Sequence, residues 1–200
     1  MITVSLCMIV KNEERTLRRC LDSVRGLMDE IIIADTGSTD RTVEIARDCG
    51  AAVCTFPWCD DFAAARNFAF SKATMQYCMW LDADDVLEPA DREAFRKLKE
   101  TLDPDTDVVM LRYHTGFDES GKPTFSYWRE RLLRRAAGFR WQGAVHEAIV
   151  PAGRSSTATP PSATGSSARA TPTATCGSSR GCSPQGKRSR RASSSTTRAS

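Results

Sequence analysis

The sequence predicts an α/β fold, a mostly parallel but mixed sheet flanked by helices. Short continuous apolar runs, such as Ser5–Val10 and Glu30–Ala34, have the pattern of strands covered on both faces. They alternate with segments whose apolar residues recur at helical spacing, which argues parallel strands joined by crossover helices. Two apolar runs, Glu30–Asp35 and Tyr77–Asp82, end in carboxylates. The C-terminal strand edge is where open α/β sheets bind ligands.

Each element follows from local chemistry. Ser5–Val10 is the first strand, and Leu17, Cys20, Leu21 and Val24 keep one helical face apolar after it. Glu30–Asp35 is the second strand, followed by the turn 36–40, where Asp40 is placed to cap a helix over Arg41–Asp48. Gly50 fits the helix stop, and Ala52–Phe56 makes a third strand. A loop over 57–61 leads to a helix over Phe62–Ala73 and then to the strand Tyr77–Asp82. Pro89 opens a helix through Phe95, Leu98 and Leu102. Val108–Tyr113 is a strand, and Asp118–Pro123 a hairpin turn leading to Phe125–Glu130. Leu132–Arg134 and Val145–Val150 read as short strands around a loop carrying Trp141 and Gly143.

The 200 residues suffice for one domain with a sizeable core. Overall charge is +3, but residues 155–200 hold seven Lys and Arg and no acid, leaving 21 basic against 25 acidic residues in 1–154. A body of net charge −4 does not predict a nucleic-acid surface. No run approaches the roughly 18 apolar residues of a membrane span, and the N-terminus lacks a signal-peptide pattern. The eight cysteines include no C-x-x-C pair; buried thiols in a reducing cytoplasm are the expectation.

Residues 1–154 therefore read as the folded domain and 155–200 as a disordered low-complexity tail, since the tail has no Leu, Ile, Val, Met, Phe, Tyr or Trp. The expectation for that composition is a frameshift, one base lost near codons 154–156. Each true codon then begins one base before the recorded one, so recorded Ser of the TCN type hides Phe, Leu, Ile or Val, and recorded Thr hides Asp, Asn, His or Tyr. Read so, the tail becomes amphipathic and helical without a forced stop.

Candidate chemistry centres on Trp80-Leu81-Asp82-Ala83-Asp84-Asp85. Two aspartates one residue apart at a strand end present hard oxygen ligands to Mg²⁺ or Mn²⁺, which in turn hold a diphosphate. The alternative is an acidic turn with no ligand.

With these residues in view, the chain resembles the family 2 glycosyltransferases, in particular bacterial cytoplasmic members often followed by tetratricopeptide-like repeats. The resemblance rests on Ser5–Glu14 (SLCMIVKNEE), Asp29–Thr42 (DEIIIADTGSTDRT), Asp60–Asn67 (DDFAAARN), Trp80–Asp85 (WLDADD) and Trp141–Ile149 (WQGAVHEAI). It covers residue 1 to about 153. It implies a glycosyltransferase-A type fold, with a Rossmann-like nucleotide-binding half joined to an acceptor-binding half. It also implies inverting transfer from a nucleotide-sugar, most simply a UDP-sugar, to a glycan, lipid or peptide acceptor.

The resemblance makes Asp84 the direct metal ligand, with Asp82 nearer the ribose and a metal-bound water, and Asp85 the third member of the triplet. Asp35 would accept from a uracil N–H or ribose hydroxyl, or else cap its own turn. Arg66 would meet the diphosphate or base, with Asn67 beside it, or else be solvated. Glu13 and Asn12 would line the base pocket; a helix-start acid is the plain alternative. Glu147 would be the general base on the acceptor hydroxyl, with His146 positioning it or touching the metal; a surface pair on an edge strand is the alternative. His114 reads as structural. Thr164, in the shifted frame, would hide a His, Asp, Asn or Tyr, and these enzymes often place a late histidine near the metal.

Two rivals remain at this level. A phosphohydrolase would use Asp82 and Asp84 as nucleophile and acid, but such pairs usually sit on a first strand. A non-catalytic nucleotide-sugar-binding remnant would keep the donor site without turnover.

Overall fold

Strands form where the apolar runs predict them, and the chain order of those strands creates the crevice. The computed structural model describes residues 1–164. The elements are β1 (Val4–Val10), α1 (Leu17–Ser23), β2 (Glu30–Asp35), α2 (Thr42–Asp48), β3 (Ala52–Thr55), α3 (Phe62–Ser71) and β4 (Tyr77–Trp80). Then come β5 (Val86–Leu87), α4 (Pro89–Thr101), β6 (Val108–Phe117), β7 (Pro123–Arg134), β8 (Trp141–Gln142), β9 (Ala148–Ile149) and β10 (Ser155–Thr164). Eight strands make one sheet in the order β3-β2-β1-β4-β7-β6-β10-β5, and β8 pairs with β9 separately.

β1 pairs in parallel with both β2 and β4, and β2 with β3. The chain thus winds outward from β1 through β2 to β3 and then returns to the other side of β1 as β4. Such a reversal leaves an open crevice at the C-terminal ends of the two central strands. β7 runs antiparallel to both β4 and β6, which makes the sheet mixed. The core below the crevice is built from Val4, Leu6 and Met8 of β1, Ile33, Met79, Leu81 and Phe95. On the other face Cys7, Ile32, Ala34 and Cys78 pack on Ala69 of α3 and on Ala73 just beyond it. All four of these strand residues are buried, as two-face coverage predicts.

Several expectations need correction. Phe125–Glu130 and Leu132–Arg134 are one twelve-residue strand, β7, interrupted only by a shift in register. Val109 faces Leu132 and Met110 faces Glu130, so Arg131 is the extra residue of a bulge. A bulge re-aims the side chain it carries, and Arg131 turns inward, 1% exposed. Trp141 lies in a strand, not a loop, while Val145–Glu147 precede the two-residue β9 in an irregular bend. The fourth strand stops at Trp80, leaving Asp82 in the turn beyond it.

The tail expectation is corrected over its first ten residues. Ser155–Thr164 is a strand between β6 and β5, parallel to the first and antiparallel to the second. Backbone pairing needs no apolar side chain, so composition did not reveal it. The register breaks between Thr157 and Ser162, the stretch holding Pro160 and Pro161, which lack the N–H a ladder requires. Residues 165–200 lie outside the described residues, and with them the rest of the disorder expectation.

Candidate active site

A cleft of about 490 Å³ opens at the crevice, within the size range of small-molecule sites. The end of β1 supplies Lys11 and Glu13, the turn after β2 supplies Thr36, and the turn after β4 supplies Asp82 and Asp84. Trp58, on the loop before α3, packs edge to face on Phe62 at 4.8 Å, and Phe62 and Arg66 come from α3 itself. Val145, His146 and Glu147 close the far wall. The described residues include three non-glycines with left-handed backbone, Asn12, Asp60 and His146. All three sit on loops bordering this cleft, and all are residue types that tolerate that conformation.

Arg66 links the Asp82 and Glu147 sides of the cleft. Its Nε donates to Glu147 Oε1 at 2.8 Å and its terminal nitrogen Nη2 donates to Asp82 Oδ1 at 2.8 Å. The guanidinium carbon lies 5.0 Å from the Trp80 ring centre and 4.8 Å from that of Trp141. Burial disfavours its charge, but Asp82 and Glu147 outweigh that and keep its pKa above the ordinary value. The remaining nitrogen, Nη1, is buried without a partner. For Asp82, burial opposes ionisation, yet Arg66, Arg131 and Arg129 hold its carboxyl below the usual range.

Asp84 is exposed beside Asp82, whereas Asp85 is not available to a ligand. Asp85 is fully buried, and its oxygens accept from Arg131 at 2.8 Å, from the Tyr113 hydroxyl at 3.0 Å and from the Asp82 backbone N–H at 3.0 Å. The third carboxylate of the triplet therefore anchors the turn that presents the other two. Sequence reasoning missed Arg131 and Tyr113; the signal was the buried acid itself, which requires a partner.

The other predicted residues are placed as follows. Asp35 is buried, and its carboxylate accepts from the N–H groups of Gly37 and Ser38, the turn-capping arrangement; its neighbour Thr36 reaches the cleft. Asn12 accepts from Thr39 N–H at 2.8 Å and so ties the β1 end to the β2 turn. Glu13 borders the cleft and accepts from the Thr16 hydroxyl at 2.7 Å. Asn67 does not reach the cleft. Its amide exchanges two hydrogen bonds with the Trp141 backbone, at 2.9 and 3.0 Å, and it borders a separate 150 Å³ depression instead. On a helix, consecutive residues point in different directions, so Arg66 faces the cleft while Asn67 faces β8. Together with the Phe62 N–H donating to the Ala144 carbonyl, they clamp the segment 141–149 onto α3. His114 meets the Ser126 hydroxyl across the β6–β7 hairpin, away from the cleft.

Comparison with known proteins places this cleft in a family. The family model for glycosyl transferase family 2 matches residues 5–152. The chain belongs to glycosyltransferase family 2. It is 41% identical over 151 residues to a tetratricopeptide-repeat-containing protein of Synechococcus elongatus, covering 74% of this chain and 36% of that protein. It is 30% identical over 154 residues to the SPbeta prophage-derived glycosyltransferase SunS of Bacillus subtilis, covering 72% of this chain and 34% of SunS. The family 2 chain thus spans about a third of the length of these relatives. Among solved structures, S. aureus TarS aligns with a TM-score of 0.51 at 20% identity, covering 68% of this chain and 29% of TarS. The fold is the glycosyltransferase-A type. No helix of the described residues is long and apolar enough to cross a membrane.

Proposed function

We propose that this chain is an inverting, metal-dependent glycosyltransferase that moves a sugar from a nucleotide-sugar, a UDP-sugar, to an acceptor hydroxyl. The observation that carries the reading is the convergence of Asp82, Asp84 and Glu147 on one cleft at the sheet's switch point, with Arg66 joining Asp82 to Glu147.

The donor set fits Mn²⁺ or Mg²⁺ held jointly with a diphosphate. Four carboxylates and two cations line the cleft, a formal charge of −2, which repels a diphosphate unless a divalent cation accompanies it. Among the described residues no cluster of three or more acids, histidines or cysteines could hold an ion alone. An ion bound by one or two carboxylates takes its other ligands from substrate phosphates and water, and Asp84 with Asp82 would supply those carboxylates. Held by these residues, such an ion would supply positive charge against the departing nucleoside diphosphate.

Glu147 accepts the proton of the acceptor hydroxyl as that oxygen bonds to the anomeric carbon. The carbon–oxygen bond to the diphosphate breaks with its electron pair, on the opposite face of the sugar. Thr36 and Glu13 border the nucleoside end, and Asp35 supports that edge by capping the turn. His146 stands beside the base. The acceptor is a glycan, lipid or peptide hydroxyl, and a bacterial cytoplasm is the proposed setting. A phosphohydrolase role loses its ground, since the chain belongs to a transferase family.

UDP release from a panel of UDP-sugars tests the reading. Turnover that requires Mn²⁺ or Mg²⁺, stops with chelator and drops about 100-fold in Glu147→Gln with UDP binding intact is the expected result. UDP binding without turnover on any donor would instead favour the remnant reading.

A further inference from the structure

We propose that Arg66 is a positioning residue, which sets the acceptor-activating Glu147 against the donor-side Asp82 before either substrate arrives. The inference rests on the glycosyltransferase reading above and assigns how that reading's two carboxylates are held in register.

The guanidinium is the only hydrogen-bond partner of the Glu147 carboxylate among the described residues. Glu147 lies 81 residues from Arg66 in sequence and follows His146, whose backbone is left-handed at φ 59°. Nothing local therefore fixes the Glu147 carboxylate. Arg66 does so with a planar fork whose Nε–H and Nη2–H directions are rigidly related. One direction is taken by Glu147 and the other by Asp82, each at 2.8 Å.

The fork itself cannot swing freely. It lies within 5.0 Å of the ring centres of Trp80, on β4, and Trp141, on β8, and its side chain is 9% exposed. Rotation would give up two charge-assisted bonds and two aromatic contacts together. The unpartnered Nη1 is the cost of that arrangement. Only Oε1 of Glu147 is engaged, so Oε2 stays available for an acceptor hydroxyl. A lysine at 66 carries the charge but is a point donor on a flexible stem, unable to register two carboxylates at once.

The test compares Arg66→Lys, Glu147→Gln and the double variant. Three quantities are read: calorimetric UDP–Mn²⁺ affinity, UDP release from UDP-glucose with water as acceptor, and hydrogen exchange of the 144–149 amides. In Arg66→Lys the proposal expects affinity within about threefold of wild type, kcat lower by about 100-fold with KM little changed, and faster exchange at 144–149. In the double variant kcat stays within about threefold of Glu147→Gln alone, because Arg66 acts through Glu147.

Affinity falling as far as kcat would make Arg66 a donor ligand and overturn the proposal. Multiplying penalties in the double variant, or unchanged exchange at 144–149, would overturn it as well. If Arg66→Lys does not fold, Glu147→Ala asks the same of the tether from its other end, and unchanged exchange there has the same force. A wild-type chain that binds no UDP sinks the glycosyltransferase reading separately, while the exchange measurement still judges the tether.

Discussion

Replacing Asp85 by Ala should unfold the site from beneath. Asp85 and Arg131 are 0% and 1% exposed at the side chain and meet at 2.8 Å. Removing the carboxylate leaves a guanidinium buried without its counter-charge, stacked 3.8 Å from the Trp80 ring centre and already carrying an unpartnered Nε. Breaking a buried pair from one side costs about 3–5 kcal/mol. The Tyr113 hydroxyl and the Asp82 N–H lose their acceptor in the same step, which places the loss toward the upper end of that range. For a chain of this size the melting temperature should fall by about 10 °C or more. Urea unfolding at pH 7 measures it as a lower midpoint at constant slope. Asp85→Leu combined with Arg131→Met should recover much of the loss, since neither charge is then stranded. A loss below about 1 kcal/mol in Asp85→Ala would refute the reasoning, because a buried pair of this kind cannot be broken so cheaply. A double variant as unstable as the sum of its singles would refute it too.

Other consequences can be measured on the same chain. Asn67→Ala removes both hydrogen bonds to the Trp141 backbone; urea unfolding should show a loss of about 2 kcal/mol, with UDP affinity unchanged. The Asp82 carboxyl is held below its ordinary value by the arginines around it. Its contribution to stability is therefore full above about pH 4 and lost as pH falls through the lowered folded value. Melting followed from pH 7 to pH 2.5 should show an acid limb that is shallower in Asp82→Asn. We propose further that the recorded tail follows a lost base. β10 occupies an interior position of the sheet yet carries two prolines, which interior strands exclude. Its last residue, Thr164, pairs with Val86, two residues beyond Asp84. Sequencing the gene around codon 154 should reveal the missing base; an intact frame there ends the idea.

What the sequence made legible were the elements governed by side-chain pattern. β1, β2 and β4 were readable because burial on both faces demands continuous apolar runs, and α4 because Pro89 opens it. Asp82, Asp84, Glu13, Arg66, His146 and Glu147 were all named from sequence, and all line one cleft. Partner choice was not legible. Whether Arg66 meets a ligand or two carboxylates depends on bringing residue 147 beside residue 66, a contact no local pattern encodes. Asn67 was misplaced because one residue along a helix turns the side chain from the cleft to β8. Asp85 was ambiguous until the β7 bulge delivered Arg131 to it. β10 escaped because a backbone ladder needs no apolar side chain, and composition reports only side chains.

Calorimetric titration of UDP, with and without Mn²⁺, on the wild-type chain and on Asp84→Asn tests the central claim most directly. The account predicts binding that requires the ion and is lost in Asp84→Asn. UDP binding that is indifferent to Mn²⁺, or that survives in Asp84→Asn, would contradict it.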